Sequence, residues 1–198
     1  RWSGRRAGVS VLVHCTGAVV ASPPRTGVLA GHREALLDRL VVALPDEKFS
    51  RDDLDRFTDA LGGKDVTLYV VPIEGHPFMI RVLKEPHEKL NFANAWHTDL
   101  SYLDAPPSFT VLYCLETPAA GGDTVWANQY MALDNLSPGL RDTLMGLEAV
   151  HSAGPAYGTG AYLDGVKDKM STKIAPSKDA YAEQTHPVVI AHPETGRP

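Results

Sequence analysis

Trp96-His97-Thr98-Asp99 is the stretch of this sequence whose residue types and spacing best suit chemistry. Read as an extended strand, it projects residues i and i+2 from one face. His97 and Asp99 would then point together at one metal ion, with Trp96 and Thr98 on the opposite side. An imidazole beside a carboxylate supplies two of the three protein ligands of a 2-His-1-carboxylate facial triad. Such a triad leaves positions on iron(II) open for a chelating cosubstrate and dioxygen. His-x-Asp alone also describes an ordinary surface pair or a structural hydrogen bond, so the surroundings have to decide. A zinc hydrolase needs three protein ligands at a near-tetrahedral site, and the sequence holds no HExxH or comparable cluster.

The elements that must position this motif follow from periodicity and punctuation. Val9–Val13 and Ala18–Ala21 look strand-like, but Gly, Pro, Ser and Arg break up residues 1–30, which stay unassigned. Residues 31–198 read as one domain. Glu34–Leu40 suits a short helix and Leu40–Leu44 a buried strand ending at Pro45. Ser50 is an N-cap with Asp53 three residues on, a capping-box pattern. Leu54, Phe57 and Leu61 then recur at helical spacing, and Gly62-Gly63 ends the helix. Val66–Val71 and Phe78–Leu83 read as strands, and Trp96–Tyr102 alternates like one. Phe109–Leu115 is apolar enough for the middle of a sheet. Gly121-Gly122-Asp123 turns the chain into Thr124–Ala127. Ser137-Pro138 opens a second helix with Leu140, Leu144 and Leu147 on one face. Residues 153–185 have weak periodicity and suit a lid or a disordered insert, and Val188–Ala191 is a last short strand. The mixture is α+β and sheet-dominated.

Around the metal motif, Lys84-Glu85-Pro86 and Asn91-Phe92 precede Trp96-His97-Thr98-Asp99. Pro106-Pro107, Leu112-Tyr113, Gly121-Gly122-Asp123-Thr124, Ala127-Asn128 and Leu136-Ser137 follow it. His186-Pro187-Val188-Val189 and His192-Pro193-Glu194-Thr195-Gly196 come last. With Val41–Leu44, Asp46 and the Ser50–Gly62 helix upstream, this series resembles the TauD/TfdA family of iron(II)- and 2-oxoglutarate-dependent dioxygenases over about residues 33–198. The resemblance implies a double-stranded β-helix (jelly-roll) with flanking helices. It implies His97 and Asp99 as iron ligands and Thr124 as a hydroxyl donor to a 2-oxoglutarate carboxylate. Asn94 and Tyr102 flank the motif and are substrate-contact candidates, Asn94 being equally suited to a turn.

The implied reaction consumes dioxygen and 2-oxoglutarate, releases succinate and carbon dioxide, and hydroxylates a small organic substrate. Many members take anions such as sulfonates, phenoxyacetates or sulfate esters. Thr67 and Val70 stand where taurine-specific members carry His and Tyr, which weighs against taurine. The family's distal histidine ligand and the arginine after it have no counterpart in this sequence. His186 and His192 fall elsewhere in the motif series, His151 suits a polar cap, and His76 and His87 suit surface turns. The expectation is therefore a jelly-roll incomplete at its C-terminus, a fragment with little turnover of its own. The alternative is a non-catalytic pseudoenzyme or interaction module on the same scaffold.

Composition narrows the partners. A formal net charge of -5 leaves no basic footprint for nucleic acid or acidic membranes. Arg1, Arg5 and Arg6 form the one basic grouping and suit a solvated terminus. No run approaches the roughly 20 apolar residues of a membrane helix. Val9–Val13 is short for a signal peptide, interrupted by Ser10 and ended by His14. Cys15 and Cys114 make no disulfide framework, Cys114 reads as a buried small hydrophobe, and a reducing cytoplasm fits both. A homo-oligomer is compatible with the sequence, which marks no interface.

Overall fold

The structure is a computed structural model describing residues 10–14, 34–45 and 48–198. The Arg1, Arg5, Arg6 cluster, Cys15, Ala18–Ala21, Asp46 and most of the unassigned N-terminal segment lie outside the described residues. In chain order the elements are β1 (Ser10–His14), α1 (residues 34–39), β2 (Val41–Pro45), α2 (Arg51–Leu61), β3 (Pro72–Ile73) and β4 (His76–Ile80). Then follow β5 (Thr110–Cys114), α3 (Gln129–Asp134), α4 (Pro138–Leu144), β6 (Glu148–Ser152), α5 (Gly154–Tyr157), α6 (Tyr162–Val166) and β7 (Glu183–Pro187). Among the described residues helices are mixed with one three-stranded and two two-stranded sheets, all antiparallel. No helix among the described residues is long and apolar enough to cross a membrane.

The chain divides into two compact units, Arg1–Gly63 with Ser108–Leu147 and Val188–Pro198, and Lys64–Pro107 with Glu148–Pro187. In the first, β1 lies between β2 and β5, with Leu12 opposite both Ala43 and Leu112. The Phe109–Leu115 run therefore forms an edge of the described sheet, where a central strand was expected. Its side chains are half-buried as far as Cys114, whose Sγ–H donates to the Glu116 carbonyl, and Leu115 is exposed. An apolar run reports burial potential, while position in a sheet depends on the partners available.

Leu36, Phe49, Phe57 and Leu61 form the apolar core of this unit. Helix α2 is built as its sequence suggests. The Ser50 side chain accepts from the Asp53 N–H, Asp53 accepts from the Ser50 N–H, and Gly62 closes the end at φ 140°. Phe49 packs on Phe57 and edge-on against Tyr113, whose hydroxyl accepts from the Phe49 N–H at 3.0 Å. Ser137 caps α4 through the Leu140 N–H. That helix ends at Leu144, and Leu140 and Leu147 are both exposed.

The second unit departs further from its sequence pattern. Val66–Val71 makes no strand: Val70 alone bridges to Ile174, and Tyr69 turns the chain at φ 66°. Strand β4 starts at His76 and stops at Ile80, because its partner β3 has only two residues. The last strand is the polar Glu183–Pro187, paired along its length with β6, and Val188 and Ile190 beyond it are exposed. Residues 153–185 fold as α5, α6, two short 3-10 turns and most of β7, which accounts for their weak periodicity. Tyr181 closes over α5 so tightly that a Cβ at Gly158 would stand 2.3 Å from its ring.

Candidate functional site

Asp99 opens a turn over residues 99–102, and residues 96–98 form no strand with any of the described residues. The two-residue alternation of a strand is therefore not what joins His97 to Asp99. Leu100 at φ 50° reverses the chain after Asp99, and Ala93 at φ 55° bends it before His97. A left-handed conformation costs a side-chain-bearing residue about 1–2 kcal/mol. Two of them flanking six residues indicate a conformation imposed by the surroundings. The side chains still meet, with His97 Nε2 3.0 Å from Asp99 Oδ1.

The tautomer of His97 follows from its other nitrogen. Nδ1 lies 2.8 Å from the Ala95 carbonyl, which can only accept, so Nδ1–H donates. In the neutral ring Nε2 then carries a lone pair aimed at a carboxylate oxygen. Two lone pairs at that separation need a proton or a cation between them. A proton makes an exposed ion pair of at most about 1 kcal/mol. A metal fits equally well, because two donors about 2.1 Å from one ion at a right angle stand about 3.0 Å apart. A ring held by a backbone carbonyl, with its second nitrogen presented, is also how histidine usually ligates. The side chains are 50% and 37% exposed, so an ion has access.

Tyr102 belongs to a group of three tyrosines. Its ring lies 5.9 Å from that of Tyr69, which stacks on Tyr157 at 5.7 Å. Burial first, then the neighbouring Tyr157, Tyr69 and Asp99, push the Tyr102 phenol well above its usual range. Burial and then Asp99 push up Tyr157, while burial and Asp179 push up Tyr69. All three remain hydrogen-bond donors at neutral pH, and none of their hydroxyls has a partner among the described residues. Sequence reasoning singled out Tyr102 but missed Tyr69 and Tyr157. Tyr69 sat in a supposed strand and Tyr157 in a segment of weak periodicity, so neither carried a usable signal.

Thr124 and Asn94 are both exposed. Thr124 belongs to the first unit and follows Gly121 and Gly122 at φ 80° and 72°, a left-handed backbone suited to glycine. Asn94, His97, Asp99 and Tyr102 belong to the second unit. Two histidines lie among the supports of the Asp99 turn. His151, on β6, has Nδ1 3.0 Å from Ser101 Oγ, and His186 Nε2–H donates to the Leu103 carbonyl at 2.9 Å. His192 is buried, its Nδ1 accepting from the Glu194 and Thr195 N–H groups.

Known proteins share this sequence pattern. An alkylsulfatase of Acinetobacter baylyi is 31% identical over 165 residues, 83% of this chain and 51% of that protein. The alpha-ketoglutarate-dependent sulfate ester dioxygenase of Pseudomonas putida is 39% identical over 105 residues, 52% of this chain and 34% of that one. The alpha-ketoglutarate-dependent sulfonate dioxygenase of Saccharomyces cerevisiae is 35% identical over 101 residues, 51% of this chain and 22% of that one. The chain thus spans about half the length, or less, of these relatives. A family profile described as taurine catabolism dioxygenase TauD, TfdA family matches residues 19–198, His97 and Asp99 among them. With nearly the whole sequence inside that match, the chain belongs to the TauD/TfdA family.

Proposed function

We propose that the protein is an iron(II)- and 2-oxoglutarate-dependent dioxygenase that oxidises a small organic sulfate ester or sulfonate. The observation that carries this reading is the 3.0 Å approach of His97 Nε2 to Asp99 Oδ1, with Nδ1 held by the Ala95 carbonyl. The printed names of the alkylsulfatase, sulfate ester and sulfonate relatives support the substrate class. Family membership supports a jelly-roll frame around the site, and a cytoplasmic setting fits two cysteines without a disulfide framework.

His97 and Asp99 would hold the metal as two of the three ligands of a facial triad. When bound, iron(II) supplies the dioxygen chemistry that couples decarboxylation of 2-oxoglutarate to oxidation of a substrate C–H bond. The Ala95 carbonyl keeps the His97 ring in the ligating tautomer and orientation. The Thr124 hydroxyl would donate to a cosubstrate carboxylate, reached through the Gly121-Gly122 turn. Tyr102, with Tyr69 and Tyr157, would give an aromatic wall beside Asp99 and exclude water from one side, and the exposed Asn94 would be a further substrate contact.

A second reading is favoured by the exposure of the pair: an ordinary His–Asp ion pair on a scaffold without iron. Anaerobic titration of the chain with iron(II) and 2-oxoglutarate separates the two. A saturable visible chelate band, absent in His97→Ala and in Asp99→Ala, is expected. No band in the unmodified chain, or a band that survives both substitutions, would leave the ion pair standing.

A further inference from the structure

The backbone after Asp99 is held from one side by a dedicated polar surface. In the β6–β7 ribbon Ala149 lies opposite His186 and His151 opposite Gln184. Alternate residues of a strand share a face, so His151, Gln184 and His186 project together. All three reach the segment that begins two residues beyond Asp99. His151 Nδ1 meets Ser101 Oγ at 3.0 Å, His186 Nε2–H donates to the Leu103 carbonyl at 2.9 Å, and Gln184 Nε2 donates to Asp104 Oδ1 at 3.4 Å. The two imidazoles pack edge to face at 5.5 Å, which fixes each ring against the other. The turn they grip is closed by the Leu103 N–H on the Leu100 carbonyl, across the left-handed Leu100. A turn of that conformation keeps its shape only while its surroundings hold it.

We infer that His151 and His186 are positioning residues for the metal site, holding the Ser101–Leu103 turn so that the Asp99 carboxylate stays aimed at His97 Nε2. The inference rests on the metal reading proposed above. Neither histidine touches His97 or Asp99 through a hydrogen bond or ring contact, so each acts through the backbone between. A carboxylate on a loose turn can still reach an ion but must be ordered again each time it binds. Outer groups that orient ligands are worth about 10–100-fold in metal affinity.

The test is cobalt(II) titration of the full chain, reading the d–d absorption, with a thermal melt for every variant. His97→Ala should abolish the saturable signal. His151→Ala with His186→Ala should weaken cobalt(II) about 10–100-fold in protein that still melts cooperatively, and alter the d–d spectrum. His186→Gln keeps a donor for the Leu103 carbonyl and should bind nearly as well as the unmodified chain. Where the double variant fails to fold, Ser101→Ala removes the same contact at its other end and should weaken binding several-fold.

Unchanged affinity in the folded double variant overturns the proposal, as does unchanged affinity in Ser101→Ala where only that variant folds. A loss in His186→Gln as deep as in His186→Ala makes His186 a ligand and overturns its positioning role. A saturable signal that survives His97→Ala, or none in the unmodified chain, sinks the metal reading and this inference with it. That outcome is distinct from intact His97 dependence with indifferent ribbon histidines.

Discussion

In the first unit Leu36, Phe49, Phe57 and Leu61 meet as one apolar cluster, with Leu36 and Phe57 fully enclosed. In the second, one of the most enclosed side chains is polar. Thr172 is fully buried, and its hydroxyl donates to the Leu83 carbonyl and accepts from the Leu83 N–H. Around it the ties are also polar: Ser171 to Glu88, His151 to Ser101, His186 to Leu103. The first unit is thus organised by area removed from water, which tolerates approximate geometry. The second also encloses apolar side chains, Val70, Met170 and Ile174 among them, but adds directional bonds, which fail steeply with misplacement. A pair of metal ligands needs the second kind of support, and the candidate site lies there.

Core truncation in the first unit should give the largest effect. Phe57→Ala removes a fully buried ring that packs on Phe49, and about 3–5 kcal/mol of stability should go with it. Urea unfolding followed by far-UV circular dichroism measures this, and a loss under 1 kcal/mol would break the description of this unit as core-driven. The matching change in the second unit runs against hydrophobic intuition. Thr172→Val keeps the volume and adds apolar character, yet strands the Leu83 N–H and carbonyl. A loss of about 2 kcal/mol is expected, with Thr172→Ser recovering most of it. Should Thr172→Val prove neutral, polar ties would not be what holds the second unit.

The same division explains what could be read from sequence. Helix α2 was legible because Ser50, Asp53 and Gly62 act within three or four residues of their partners and Phe57 and Leu61 follow the helical period. The meeting of His97 and Asp99 was legible from residue type and motif, although the supposed strand is a turn held by His151, 50 residues from Ser101 in sequence. Local patterning carries no trace of such a tie. Val66–Val71 failed for a related reason, since β-branched residues favour extension but Val70 alone found a bridging partner. The Tyr69–Tyr102–Tyr157 group was invisible because its members come from three separate segments.

A smaller effect should come from the cap of α2. Ser50→Ala removes the acceptor for the Asp53 N–H and should cost about 1 kcal/mol by the same urea titration. The loss should be confined to the first unit, so metal binding at His97 and Asp99 should be unchanged. A parallel fall in cobalt(II) affinity would mean the two units do not respond separately.

The smallest expected effect, and the one that touches both units, is in acid. Ser50 holds the Asp53 carboxyl below its ordinary value of 3.8 through side-chain and backbone hydrogen bonds, with Arg56 adding attraction. Ser171 holds Glu88 below its ordinary 4.5 in the same manner. A carboxyl depressed by folding leaves the unfolded chain binding more protons. Its contribution is therefore present in full above the unfolded pKa and is lost as pH falls through the folded one. Both groups are only partly buried and open to solvent, so each share is small and screened by salt. Melting temperature should fall from about pH 5 downward, with Asp53→Asn and Glu88→Gln each flattening part of that slope. Flattening by Asp53→Asn alone would place acid sensitivity in the capped helix, and flattening by Glu88→Gln alone would place it in the polar ties of the second unit.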